Sequence, residues 1–280
     1  MDQNNLAYLQ KSLDYLGFGT RLNSVLEDAI YKGSRSFSIG INQRYIPAEF
    51  RSDPSKGVDT MHFEIRFSRS ATSEVYFLNA IEAKLQRYNS TEPVNKRFDI
   101  VQDHRMTALQ CYKLMCGLSL QKDIFVKDLD NLEKDSRKRV TVWFKLDLGV
   151  TDKSGEHPLK WFFPEYGFNL QQTVEKYPFM DFQDEEKKMA SIKALSYGNL
   201  ISLSMELDGK KIPVYVSANP ELKRLDVFNT EMVLLTKQQL FPDFSEMKKI
   251  NLQPLAIPST QTPDVITEVN ERTNSANFKR

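Results

Sequence analysis

Histidine is scarce in this chain of 280 residues: there are three, His62, His104 and His157. None stands in an HxH, HExxH or CxxC context, so no histidine-based metal centre is expected. Cysteine is scarcer still. Cys111 and Cys116 sit five apart inside a helical pattern, which puts them on different faces. Neither a disulfide nor a paired metal site suits that spacing, and both read as buried thiols. A charge excess of one sign is missing as well, with 38 basic against 37 acidic side chains and a formal charge of +1. A dedicated nucleic-acid binder usually carries a basic excess, because phosphate neutralisation supplies most of its affinity. No window approaches the length of a bilayer-spanning helix. The start, MDQNNLAYLQKSLDYL, lacks a basic region followed by an apolar run, so a cytoplasmic protein without membrane contact is expected. There is no Gly-rich phosphate loop, and no cofactor is expected; the glycines of LGFG follow a helical pattern and read as its end.

What is present is a globular pattern. Hydrophobic residues make up 40% and charged residues 27%, which permits a packed core. Leu6, Leu9, Leu13 and Leu16 predict an amphipathic helix. A second is expected from an N-cap at Thr20, with Leu22, Val25, Leu26, Ala29 and Ile30 on one face. SFSIGI and HFEIRF alternate as strands, VYFLNAIEAKL reads as a strand whose end could be helical, and RFDIV is a short strand. Residues 46–60 and 88–97 read as a loop and a polar turn. Thr107 opens a third helix with a capping box, T-A-L-Q, bearing Leu109, Tyr112 and Cys116 on its stripe. The charged run 127–139 reads as a solvated connector or a docking site.

RVTVWFKLDL predicts a strand with one buried face, and PLKWFFPEYGF its antiparallel partner. NLQQTVEKYP is a short helix. From Asp184 the marks are clearest. Asp184 caps a helix whose stripe is Met189, Ile192 and Leu195, Gly198 closes it, and Asp208-Gly209 is a favoured hairpin turn. The fold class expected is α+β, with antiparallel meander sheets and helices packed on one face. Residues 1–102 and 103–250 read as two subdomains, and 251–280 as a flexible tail. Helix, glycine and three strands occur at 20–85 and 184–230, with a shortened helix-and-hairpin form at 107–168. The pattern reads as a duplication or as a common antiparallel solution reached more than once.

The run YGFNLQQTVEKYP followed by EEKKMASIKALSYGNLISLSMELDGKKIPVYVSANPELKRLDVFNTEM resembles a domain-of-unknown-function family. That family occurs in proteins of Bacteroidetes mobile elements, conjugative transposons and plasmids. Its marks here are Gly198-Asn199 at a helix end and Ala218-Asn219-Pro220 after a strand. The resemblance implies a genetic context and no chemistry, so it transfers no functional residue.

Three functions are carried forward. One is a non-enzymatic accessory protein that binds another protein through a sheet edge or a concave face. A second is single-strand nucleic-acid binding by cations and stacking rings on the N-terminal sheet: Arg35, Arg44, Tyr45, Arg66, Arg69, Tyr76, Lys84, Arg87, Lys96 and Arg97. A third is a hydrolase with acids near Asp103 and His104. Asp103, His104 and Arg105 before the third helix, and Asn219 in its turn, are candidate ligand contacts.

Overall fold

A computed structural model describes residues 2–100, 104–128, 136–153, 155–207 and 210–241. Asp103, the Asp208-Gly209 turn, the middle of the 127–139 run and the 251–280 tail lie outside the described residues. The architecture is α+β, built from three antiparallel meanders and the helices that cover them.

Helix α1 spans Gln3–Tyr15 and α2 spans Asn23–Tyr31. Asp2 caps α1 by accepting the amides of Asn4 and Asn5. Thr20 does not cap α2: Thr20–Leu22 is a 3-10 turn, and α2 begins after it without a side-chain cap. Val25 is exposed, so the buried stripe is Leu22, Leu26 and Ile30. Strands β1 (Ser36–Tyr45), β2 (Asp59–Arg69), β3 (Tyr76–Gln86) and β4 (Val94–Asp99) follow in order as a four-stranded sheet. β3 is extended to its end, and β4 starts within the residues expected to form a turn. Met61, Phe63, Ile65 and Phe67 alternate inward along β2, as a half-buried strand requires.

Helix α3 (Ala108–Met115) carries the capping box between Thr107 and Gln110. Leu109 is exposed and Cys116 is the C-cap, so the buried face is Cys111, Tyr112, Leu114 and Met115. Strands β5 (Leu120–Lys127), β6 (Arg137–Leu146) and β7 (Leu159–Phe162) form the second meander. Helices α4 (Leu170–Val174) and α5 (Glu185–Ser196) precede β8 (Ile201–Leu207), β9 (Lys210–Asn219) and β10 (Arg224–Phe228). Asp184 caps α5 as expected, but Met189 is exposed and Leu195 is the buried anchor. Short α6 (Lys237–Leu240) closes the described chain. α2, α3 and α5 are each followed by a glycine of positive φ, namely Gly33, Gly117 and Gly198, and then by a meander. The form at 107–168 is therefore not shortened, because β5 completes it.

Two apolar clusters organise the interior. The first joins α1, α2, the first sheet and α3 to Leu120, Ile124, Val142, Phe144 and Leu146. It takes residues from both sides of the expected 102/103 division. The second gathers α4, α5 and the third sheet around Trp143 and Phe162. β6 thus serves both: Val142, Phe144 and Leu146 face one cluster, and Trp143 faces the other. Trp143 stands on the face of β6 opposite Val142, Phe144 and Leu146. It is 4% exposed, with its ring 5.2 Å from Phe168.

Candidate functional site

A wide, shallow concavity lies beside the β2–β3 turn, lined by Arg35, Arg69 and Glu74, and a more enclosed one lies where α3 meets the first and third sheets. The latter is a cleft of about 270 Å³. Tyr45 at the end of β1, with Ile46 and Pro47 just past it, forms one wall; Leu109, Tyr112 and Lys113 of α3 form the floor; Asn199, Leu200 and Phe228 form the far side. Beneath it lies a buried charge network. Asp59 opens β2 and is fully buried. Its Oδ1 accepts the Tyr88 amide at 2.9 Å and its Oδ2 accepts the Tyr112 hydroxyl at 2.9 Å. The Arg87 Nε lies 3.1 Å from the same Oδ2, an ion pair without hydrogen-bond alignment, and an Arg87 terminal nitrogen lies 3.8 Å from Glu49. Asp59 is the first residue of β2 and Arg87 follows the last residue of β3, next to the pairing of Thr60 with Gln86.

Burial dominates the protonation of this site. It lifts the phenols of Tyr112 and Tyr45, the latter to about 12, and the Cys116 thiol to about 12. These groups stay neutral at ordinary pH. Lys113 is displaced the other way, down to about 8, first by desolvation and then by the like charge of Arg51. Its Nζ donates to the Tyr197 carbonyl at 2.7 Å and to Asn199 Oδ1 at 2.6 Å. Those bonds tie α3 to the end of α5, where Gly198 lets the chain turn at φ +70° against Leu120.

A second polar junction links the middle sheet to the third. Lys160 Nζ lies 2.7 Å from Asp147 and 2.5 Å from Glu221, and Lys145 lies 3.0 Å from Glu221. Burial opposes the charge on Lys160, yet Asp147 and Glu221 hold its pKa above the usual lysine range. Asn219 belongs to this junction. Its Nδ2 donates to Asp226 at 2.7 Å, and its Oδ1 accepts the Leu222 amide at 3.1 Å and Lys145 at 3.3 Å. Both ends of its amide are engaged within the fold, at a residue 3% exposed.

The residues expected to bind single strands do not share one face. Arg44, Arg66, Lys84 and Arg97 are on the outer face of the first sheet, as the strand register dictates. Arg66 makes two bonds to Glu82, at 2.6 and 2.8 Å, and Arg97 bonds Glu82 at 3.0 Å and Asp99 at 2.9 Å. Lys96 and Arg87 are on the inner side, Lys96 with its Nζ 3.1 Å from Glu156. Tyr76 is 2% exposed, with its hydroxyl on the Ser34 carbonyl, and Tyr45 is stacked on Tyr112. Arg35 and Arg69 stand apart, at the β2–β3 end of the sheet, where Arg69 is 4.0 Å from Glu74. Before α3, His104 packs edge-on to Trp161 at 4.7 Å, and Arg105 donates to the Tyr8 hydroxyl at 2.9 Å. Among the described residues no group of three or more His, Cys, Asp or Glu is arranged to hold a metal ion. No described helix is long and apolar enough to cross a membrane.

The open edge of β1 is a further feature. The Arg69 amide bonds the Arg35 carbonyl, and the β1–β2 register is unbroken. Bonding alternates along an antiparallel pair. Odd-numbered residues of β1 therefore bond β2, and Ser36, Ser38, Gly40, Asn42 and Arg44 turn their amides and carbonyls to the edge. All five are exposed. Other edges are protected. Phe179 bridges Met205 and Asp181 accepts the Ser204 amide at β8; Leu234 bridges Phe228 at β10. β4 and β5 carry charges, and β7 is four residues long.

Comparison with known protein families, with curated proteins and with solved structures finds no match.

Proposed function

We propose that this chain is a non-enzymatic interaction protein that receives an extended segment of a partner protein as an added strand along β1. One observation carries the reading: β1 is ten residues long, has a single charged residue, Arg44, and no described backbone group outside β2 bonds to it. Unpaired amides and carbonyls at alternate residues are satisfied by another extended backbone, the mode known as strand addition. The resemblance to proteins of conjugative transposons and plasmids supports an accessory role in that setting. The single-strand reading gains no such support, because two of the outer-face arginines, Arg66 and Arg97, are paired with Glu82.

Proline tests the edge directly. Ser38→Pro removes an edge-facing amide without touching a β1–β2 bond, and proline is tolerated at such positions. Ser38→Thr changes the side chain and leaves the amide. A displayed library of random twelve-residue peptides is selected on the wild type and scored on both variants. The expected result is peptides whose binding falls about tenfold or more with Ser38→Pro and persists with Ser38→Thr. Selection of no such peptide, or equal binding by both variants, overturns the reading. So does a concentration-dependent dimer lost in Ser38→Pro, which would assign the edge to a second copy.

A further inference from the structure

We propose that the cleft between β1, α3 and β10 binds a small organic acid, with a singly charged carboxylate held by Lys113 and Arg51 and an apolar body lying on Tyr45, Leu109 and Leu200. The inference is independent of strand addition at β1 and uses different atoms.

The charge arrangement points to an anion. Arg51 lines the cleft, and among the described residues no carboxylate lies within ion-pair range of it. Lys113 has no carboxylate either; two of its three N–H groups go to neutral oxygens, the Tyr197 carbonyl and Asn199 Oδ1. The third remains for a ligand. Two like charges are thus gathered in a partly desolvated place, which costs free energy until an anion arrives.

The other charges at the cleft set the ligand's valence. Arg87 faces two carboxylates, Asp59 and Glu49, which leaves one negative charge in excess. Asp226 is balanced by Arg224 at 3.2 Å. Arg51 and Lys113 together contribute two positive charges. The balance is one positive charge, which suits a monoanion better than a phosphate dianion. The rest of the lining is apolar or neutral: Tyr45 and Tyr112 keep their protons, and Ile46, Leu109, Leu118 and Leu200 offer carbon surface. A volume of about 270 Å³ is at the small end for ligand pockets. A few convergent polar groups over an apolar floor is the usual composition of such a site.

The probe is 4-phenylbutyrate, set against its neutral amide and against phenyl phosphate, with binding measured by calorimetry on the full chain. The acid is expected to bind and to raise the melting temperature, and the amide to do neither. Lys113→Gln and Arg51→Gln should each weaken the acid about tenfold or more, while Lys113→Arg stays within about threefold. Arg51 is exposed, so its variant remains informative if Lys113→Gln folds poorly.

The pH profile adds a readout that mere packing would not move. Tyr45, Glu49, Arg51, Arg87, Tyr112, Cys116 and Asp226 are the charged and titratable groups that line the cleft with Lys113. With Lys113 titrating at about 8, the acid's dissociation constant should rise about tenfold between pH 7 and pH 9. In Lys113→Arg it should stay flat. Equal binding of acid and amide, or no effect of either glutamine variant, overturns the proposal. Phenyl phosphate binding more tightly than the carboxylate overturns the assignment of a monoanion.

Discussion

Tyr45 and Tyr112 lie face to face, with ring centroids 4.2 Å apart and planes 9° from parallel. The pair joins the end of the edge strand to the helix that floors the cleft. The rings differ in what their hydroxyls hold. Tyr112 donates to the buried Asp59, whereas Tyr45 donates to the half-buried Gln43 side chain at 2.5 Å.

That difference predicts unequal costs. Tyr112→Phe keeps the stack but takes a donor from a fully buried carboxylate, and should destabilise by about 1–3 kcal/mol. Tyr45→Phe leaves an acceptor that water can reach, and should cost under about 1 kcal/mol. Urea unfolding of the two variants decides it. Equal midpoints would show that the Asp59 bond contributes little.

Arg87 and Asp59 form a pair that is worse to break than to remove. Arg87→Met leaves Asp59 buried with its main counter-charge gone, and should cost about 3–5 kcal/mol. Replacing both, with Asp59→Asn added, should recover part of that loss, because the uncompensated charge disappears. A double variant no more stable than Arg87→Met would contradict the account.

Gly198 is the tightest joint between α5 and the second meander. A Cβ built there would stand 2.9 Å from Leu120 Cβ and 2.9 Å from the Ser119 carbonyl, at a positive φ. Gly198→Ala should therefore destabilise by about 2 kcal/mol or more, from strain and collision together. It should also loosen Lys113 by moving the Tyr197 carbonyl it holds. Thermal unfolding measures the first effect and the pH profile of acid binding the second. A melting temperature within one degree of wild type would refute the packing.

Lys113 gives stability a dependence on pH with a definite sign. Its pKa falls from 10.5 in the unfolded chain to about 8 in the fold. Between those values the unfolded state holds more protons, so stability rises with pH across the window. Below about 8 both states are protonated, and the fold bears the full cost of the buried charge. Lys113→Met should be more stable than wild type at neutral pH, with the difference shrinking toward pH 10. A difference that does not change with pH would remove Lys113 as its source.

The sequence shows the local devices well. The Thr107 box, the Asp184 cap and the glycine at 198 were readable because each depends on residues a few positions apart. β5 was not. Its eight residues include Lys122, Asp123 and Lys127, which hide the alternation of Leu120 and Ile124. Lys122 tolerates that place by donating to Gln110 at 3.0 Å and to the Arg105 carbonyl. The list of basic residues failed as one surface because parity separates Lys96 from Arg97 and Lys84 from Arg87. The cleft was out of reach altogether. Its walls come from residues 45–51, 87, 109–118, 198–200 and 217–232, which only the packed meanders bring together. Asn219, expected as a candidate ligand contact, has both ends of its amide engaged within the fold.

The two-sided burial of β6 has a consequence for the order in which the chain matures. During synthesis the first sheet and α3 are complete before β8 exists, so Val142, Phe144 and Leu146 can settle early. Trp143 and Phe162 then wait, exposed, for the last meander to arrive. The nascent protein passes through a stage with an aromatic surface open to water, the kind of species that chaperones hold and that aggregates when crowded. The C-terminal sheet is, in this sense, the cover that ends the protein's vulnerable period.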